Sequence, residues 1–217
     1  MQGVSDMGNK YQNHYQIQIN NILDQTQNLC IEKGIDNVSI VDIARSCHIT
    51  RTTVYNYFDS KEDILWAIFY RHQSSMYEKC VTAIKQASTT YEKFQAYAYT
   101  TLSLYKENIY YPIFMDIFGS IYMSASAKKD YQWDNPYNEY QVKPGAMVAL
   151  LSENFHDGSV KSTLDPKLST VSFVYAISSL IDFLYKSNEA IQTKYQLDFE
   201  SVAFTQIQWL LNELKNK

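Results

Sequence analysis

Residues Cys47–Leu65 read CHITRTTVYNYFDSKEDIL, and this stretch decides how the chain is understood. Thr50 stands where a helix N-cap is wanted, and Ser60 with Asp63 three residues on marks a second helix start. Between them lies room for one short helix only. Val54, Tyr57 and Phe58 are candidate anchors on its inner side. Arg51, Thr52, Thr53, Tyr55 and Asn56 are left for the outer side. A helix so short cannot stabilise itself through its own hydrogen bonds. So dense a set of hydrogen-bonding side chains on it points to contact with another molecule.

Working towards the N-terminus, NVSIVDIARSCHI supplies the preceding element. Ser39 and Asp42 form a variant of the capping box, and Ile40, Ile43 and Ala44 fall on one inward face. The two short helices are joined by about four residues, which is helix-turn-helix spacing. In that geometry the second helix presents its N-terminal side chains to the major groove. Arg can bond guanine with two N–H groups, and Thr offers a hydroxyl or a methyl, so Arg51, Thr52 and Thr53 are candidate base readers. Tyr55, Asn56 and Lys61 are candidate phosphate contacts. An earlier helix starts near Tyr15, carries Ile19, Ile22, Leu23, Leu29 and Cys30 at helical spacing, and stops at Gly34. Residues 1–14 are polar and expected to fray.

VSIVDIARSCHITRTTVYNYFDSKEDIL resembles the helix-turn-helix of the tetracycline-repressor (TetR) family. That family shows Thr or Ser opening its second helix, then D-I-A, A-G-V-S, T-(L/V)-Y-x-(Y/H)-F and S-K-E-x-L. Here Ser39, Asp42-Ile43-Ala44, Cys47-His48-Ile49-Thr50, Thr53 to Phe58 and Ser60-Lys61-Glu62 stand at those places. The resemblance implies DNA contacts at Ser39, Ile40, Arg51, Thr52, Thr53, Tyr55, Asn56, Tyr57 and Lys61, the last on a phosphate. His48 replaces the usual turn glycine, Cys47 the usual alanine, and Thr52 a common Gly or Pro. A histidine at positive φ is tolerable but strained.

Charge adds little. The chain carries a formal net charge of −4. In residues 1–62, Lys10, Lys33, Arg45, Arg51 and Lys61 are outnumbered by Asp6, Asp24, Glu32, Asp36, Asp42, Asp59 and Glu62. DNA affinity must then rest on cations placed locally, and its salt dependence should be modest.

The remaining chain reads as helices. With 6 Gly and 4 Pro in 217 residues, punctuation is too sparse for many short strands. Ser60 opens a long amphipathic helix through Leu65, Ile68, Phe69, His72, Met76, Cys80 and Ile84. A Tyr-rich helix follows, and Pro112 opens the next. Residues 128–143 form a long polar connection whose order the sequence leaves open. Pro144 starts a helix expected to run through Phe155 to Gly158. Asp165-Pro166 caps another, apolar almost all round and so expected to be buried on most sides. A last helix bears Phe199, Ala203, Ile207, Leu210 and Leu214, with Val202 and Trp209 beside them. The expected fold is all-α, with about nine helices in total. It comprises a helix-turn-helix head at residues 1–62 and a larger C-terminal domain at residues 63–217.

The middle of the chain has two readings. Its aromatics are ordinary core, or they wall a ligand cavity, as the family resemblance implies. Candidates for the second are Tyr97, Thr101, Tyr105, Phe114, Phe118, Tyr122, Met147, Leu151, Tyr175 and Phe183. Few charges lie among them, so a ligand would be apolar or aromatic. The last two helices also have two readings, packing within one subunit or across a homodimer. A dimer would set two reading helices on a near-palindromic operator.

No Cys/His spacing suggests a metal, and Cys30, Cys47 and Cys80 read as reduced, buried thiols. No Gly-rich phosphate loop or nucleophile–base signature points to an enzyme, and no cofactor is expected. No run approaches the ~18 apolar residues of a membrane span, nor does the N-terminus carry a signal peptide. A cytoplasmic location follows as the expectation. The sequence therefore implies a DNA-binding transcriptional regulator, in first place a repressor released by a small effector. The alternative is a regulator of the same kind with no small-molecule effector, controlled by a protein partner or acting as an activator.

Overall fold

The computed structural model describes residues 3–108, 110–122 and 145–216, with side chains at 14–108, 110–116 and 145–216. Each helix has a local reason for its limits. The first, α1, spans Gly3–Lys33. It begins well before Tyr15, so the expected fraying segment is written into the helix: extending a formed helix is far easier than nucleating one. Gly34, at φ 78°, ends it, and a 3₁₀ turn at Ile35–Asn37 follows. Then come α2, Ile40–Ser46, and α3, Arg51–Tyr55.

Next, α4 runs from Lys61 to Lys85, and α5 from Thr90 to Glu107 behind a full Thr89–Glu92 capping box. Helix α6 covers Tyr110–Tyr122, so Pro112 lies in its first turn, where its missing N–H costs nothing. Helix α7 covers Ala146–Ser152, α8 Pro166–Lys186, α9 Asn188–Tyr195 and α10 Phe199–Leu214. The described residues thus hold ten α-helices, one more than the count read from sequence. The break is at Gln196, whose φ of 57° separates α9 from α10.

The chain divides into two compact units, Met1–Tyr70 and Arg71–Lys217. The division falls inside α4 rather than at residue 62. Ile64, Leu65 and Ile68, in the first turns of α4, are buried with the head's own Ile22, Ile43, Val54 and Phe58. Within the head, α1 packs on the 3₁₀ turn and on α2, and α2 packs on α3. Ser46 donates to the Gln25 side chain at 2.6 Å, a polar tie between α2 and α1.

In the body, α5, α8 and α10 pack on one another, and α7 covers α8 and α5. Aromatics fill this core. Phe94 meets Phe173 edge-on at 4.8 Å and Phe155 at 6.1 Å. Full burial of one such ring contributes about 1.5–3 kcal/mol. Helix α7 stops at Ser152, short of the expected Gly158. Asn154 and Gly158 take positive φ, and the turn they shape does structural duty. Asp157 accepts the Thr90 N–H, Ser159 accepts the Tyr91 N–H, and Lys93 donates to the Glu153 carbonyl. These bonds hold the first turn of α5. The Asp157 carboxyl sits at about 2: burial raises it, but the hydrogen bonds from Ser159 and Thr90 outweigh that.

Helix α8 corrects two expectations. It buries one face only, through Thr170, Phe173, Ile177, Ile181 and Leu184. Leu168, Tyr175 and Phe183 are exposed on the others. It is also long and apolar enough, by length and composition, to cross a membrane. Its serines and threonines interrupt the apolar run, which is why counting contiguous apolar residues passes over it. The expected connection at 128–143 lies outside the described residues.

Candidate nucleic-acid interface

The reading head is built from caps. Ser39 accepts the Asp42 N–H at 3.2 Å, while Asp42 accepts the Ser39 N–H at 3.1 Å and the Ser39 hydroxyl. These bonds, the Ser39 hydroxyl first, hold the Asp42 carboxyl at about 2, with Lys33 assisting. Helix α2 ends in a Schellman turn: Ile49 donates to the Ala44 carbonyl at 3.0 Å and His48 to the Arg45 carbonyl at 3.1 Å. His48 takes φ 57°, as expected of the residue in the usual glycine place. Thr50 then caps α3 by accepting the Thr53 N–H at 3.0 Å.

These bonds sort the candidate residues. Arg51, Thr52, Tyr55 and Asn56 are exposed together on and just beyond α3. Val54 and Phe58 are buried beneath them. The Thr53 hydroxyl lies 2.8 Å from that of Thr50, so it is part of the cap and only half-exposed. Tyr57 is half-buried, its ring 5.0 Å from that of Tyr15 on α1. That contact joins residues 42 positions apart (57 − 15), which no local pattern reveals. Ser39 is exposed, though its hydroxyl serves the cap, and Ile40 is half-buried.

Lys61 departs furthest from expectation. Its ammonium donates to the Ile35 carbonyl at 3.0 Å and to the Val38 carbonyl at 2.9 Å. Two of its three N–H bonds therefore point into the head. Lys33 is paired with Asp42 at 3.4 Å. Arg45 and Arg51 are exposed and make no ion pair among the described residues. Arg45, at the end of α2, is expected from the charge balance to lie on the DNA side with Arg51 and Lys61, and its side chain is exposed.

In the body, Tyr97, Thr101, Tyr105, Phe114 and Leu151 are all buried, and Met147 packs against the same core. A string of hydroxyls runs through it. Tyr97 lies 3.1 Å from Ser178, Thr101 donates to the Tyr97 carbonyl, and Tyr111 donates to the Met76 sulfur at 3.1 Å. Burial raises the Tyr105 phenol, and the charge of Asp182 raises it further. Asp182 and Asp116 both pair with Lys186. Sequence reading missed Ser178 and this ion cluster, although Asp182 and Lys186 at i,i+4 are a helical pair.

Tyr175 and Phe183 must be withdrawn from the ligand set, since they are 69% and 67% exposed on the outside of α8. An all-round apolar helix gives no sequence signal for which stripe turns inward. The side chains of Phe118 and Tyr122 lie outside those described. His72 is buried and stacked on Phe114, with ring centroids 5.7 Å apart. Burial, and then the charge of Arg71, depress it to about 4. Burial drives the Cys30, Cys47 and Cys80 thiols up to about 11, 11 and 12, which suits inert packing groups.

Residues 22–68 match the sequence profile of the bacterial regulatory proteins, tetR family. No curated protein matches the chain. Solved structures do. A TetR family transcription regulator from Marinobacter aquaeolei VT8 aligns at TM-score 0.64 and 14% identity, over 96% of this chain and 100% of the other. The transcriptional regulator FadR from Bacillus subtilis, in complex with stearoyl-CoA, aligns at 0.62 and 19%, over 89% and 98%. AibR, in complex with isovaleryl coenzyme A and operator DNA, aligns at 0.61 and 17%, over 89% and 98%. At such identities the likeness shows the fold, while the profile match falls on the helix-turn-helix itself. Residues 22–68 thus carry the helix-turn-helix profile of the tetR family, on a chain whose fold is that of the solved regulators it resembles.

Proposed function

We propose that the protein is a homodimeric repressor that leaves its operator when a small apolar or aromatic effector enters the body. One observation carries the DNA-reading half. Arg51, Thr52, Tyr55 and Asn56 stand exposed as a group on a short helix whose every structural need is met by other residues. Arg51 is the base reader, with Arg45 and Asn56 on phosphates.

The dimer is supported by what α8 and α10 leave open. Tyr175, Phe183, Phe204 and Trp209 are exposed, and an apolar groove of about 270 Å³ borders Trp209, lined also by Leu197, Val202 and Thr205. Single exposed apolar residues are ordinary, but large ones on two adjoining helices mark an association surface. A two-fold pairing would bury the same patch on both subunits.

The effector half draws on the buried aromatic wall with its few hydroxyls, and on the ligands of two structural neighbours. Stearoyl-CoA and isovaleryl coenzyme A both carry an acyl chain, so acyl thioesters head the list to be tried. Entry would shift α4, which begins in the head and ends in the body. The effector must bind the released state more tightly than the operator-bound one for this to work.

The test is selection of duplexes from a random library, followed by titration of the winner with and without acyl thioesters and hydrophobic aromatics. Enrichment of a near-palindrome, weakened by at least one of these ligands, is expected. No enrichment would overturn the DNA reading. Enrichment without any ligand effect would favour a regulator controlled by a protein partner.

A further inference from the structure

We propose that Lys61 is a positioning residue: it clamps the entrance of α2 onto the first turn of α4, and so sets the reading helix rather than holding a phosphate. This rests on the DNA-reading function proposed above and deepens it.

The geometry is specific. The two carbonyls that Lys61 bonds, Ile35 and Val38, bracket the 3₁₀ turn between α1 and α2. Val38 directly precedes Ser39, the N-cap of α2, and its own side chain is 2% exposed. The Ile35 carbonyl accepts only a long 3.4 Å bond from the Val38 N–H and the Val38 carbonyl lies past the end of the turn, and a cation is the strongest donor for both. The Lys61 charge is also near enough to the buried Cys30 thiol to lower it against the effect of burial. The half-buried ammonium is thus held by the turn and by the residue before the α2 N-cap.

The consequence runs through the head. Lys61 is the first residue of α4, and α2 carries α3 through the Schellman turn at His48. A displacement of the α4 start moves the Val38 carbonyl, and with it the N-cap of α2. Arg51 then changes its approach to the bases while the overall charge of the head stays the same.

That gives a readout which a phosphate contact would not share. The probes are the duplex selected by the wild-type protein and a scrambled duplex of the same length and composition. Lys61→Met should weaken binding to the selected duplex about tenfold, the scale of a charged hydrogen bond lost. Binding to the scrambled duplex should stay within about twofold. The slope of log affinity against log salt should not change, and Lys61→Arg, whose guanidinium can serve both carbonyls, should restore discrimination. Equal weakening on both duplexes, with the slope reduced by roughly one per subunit, would make Lys61 a phosphate contact and end the proposal. A merely less stable head would also lose both affinities together, and would equally count against it.

Should Lys61→Met fail to fold, ¹⁵N spectra of the wild-type lysine ammonium decide the question. A slowly exchanging Lys61 signal in the free protein, unmoved by the selected duplex, is expected. Its appearance only on adding DNA would overturn the clamp. If the wild type selects no duplex, the function proposed above fails, while the free-protein spectrum still tells whether the clamp exists.

Discussion

In the head, α2 and α3 are 7 and 5 residues long and stand on side-chain caps, whereas α8 in the body has 21 residues and stands on one buried face. The caps are local. Each joins residues three apart, Ser39 with Asp42, Thr50 with Thr53 and Ser60 with Asp63. The body's stability is non-local, as in the Phe94–Phe173 contact or the Tyr97–Ser178 hydrogen bond. The difference teaches where specificity can be stored. A capped element keeps its outer side chains free for a partner, and a buried face does not.

The contrast breaks most visibly at the body's open surface. Phe183→Asp combined with Trp209→Asp should convert a dimer to monomers in sedimentation equilibrium. Burying an unpaired charge costs roughly 3–5 kcal/mol, and each substitution occurs twice in a two-fold interface. A dimer that survives both would send the interface elsewhere. The head is sharpened next. Arg51→Ala with Tyr55→Ala should lower affinity for the selected duplex by about a hundredfold, ~1–3 kcal/mol of it from the base contact of Arg51 and the rest from a backbone contact of Tyr55. The circular dichroism spectrum and oligomeric state should be retained, because neither side chain supports the fold.

A pH series separates buried from capped groups. His72, depressed to about 4 from an ordinary value near 6.5, is neutral in the folded body. The unfolded chain takes up a proton there first as pH falls. The stability due to the neutral ring is therefore complete above about 6.5 and is lost between 6.5 and 4, to about 3 kcal/mol. Urea unfolding at pH 7 and 4.5 should show this loss, and His72→Gln should flatten it. Asp42 and Asp157, held near 2, act only below about 4, outside that window. The smallest effects lie on the caps. Thr50→Ala should cost the head about 1 kcal/mol. His48→Gly should stabilise it by up to about 1 kcal/mol, since glycine takes φ 57° without strain. Melting of the isolated variants against wild type reads both, and equal signs would remove the account of the turn.

How much was legible in the sequence follows from the same contrast. Ser39, His48, Thr50 and Ser60 were placed correctly because a cap is written within four residues. Val54 and Phe58 were legible as anchors because they sit on one side of a single short turn. Tyr57, placed inward by its spacing and outward by the family resemblance, is half-buried against Tyr15, a partner on another helix that no local pattern reveals. Lys61 was read as a phosphate contact because sequence spacing shows a cation at a helix start but not the two carbonyls it meets. Tyr175 and Phe183 were misplaced for a further reason: α8 is apolar on every side, so periodicity could not tell its buried stripe from its open one. Ala203 and Ile207, on the more amphipathic α10, were assigned to the inward stripe and are buried.

The scarcity of free cation among the described residues of the head has a consequence for how a DNA-reading head of this kind would find its site. Random duplex competes for a regulator chiefly through phosphate charge. A head presenting Arg45 and Arg51 as its unpaired cations among the described residues is expected to linger little on random duplex. It would slide over short distances and return to solution often. A genome offers on the order of 10⁶–10⁹ wrong sites, so weak random binding keeps more of the protein free to test the right one. For a regulator made in few copies, that freedom matters as much as the tightness of the final grip.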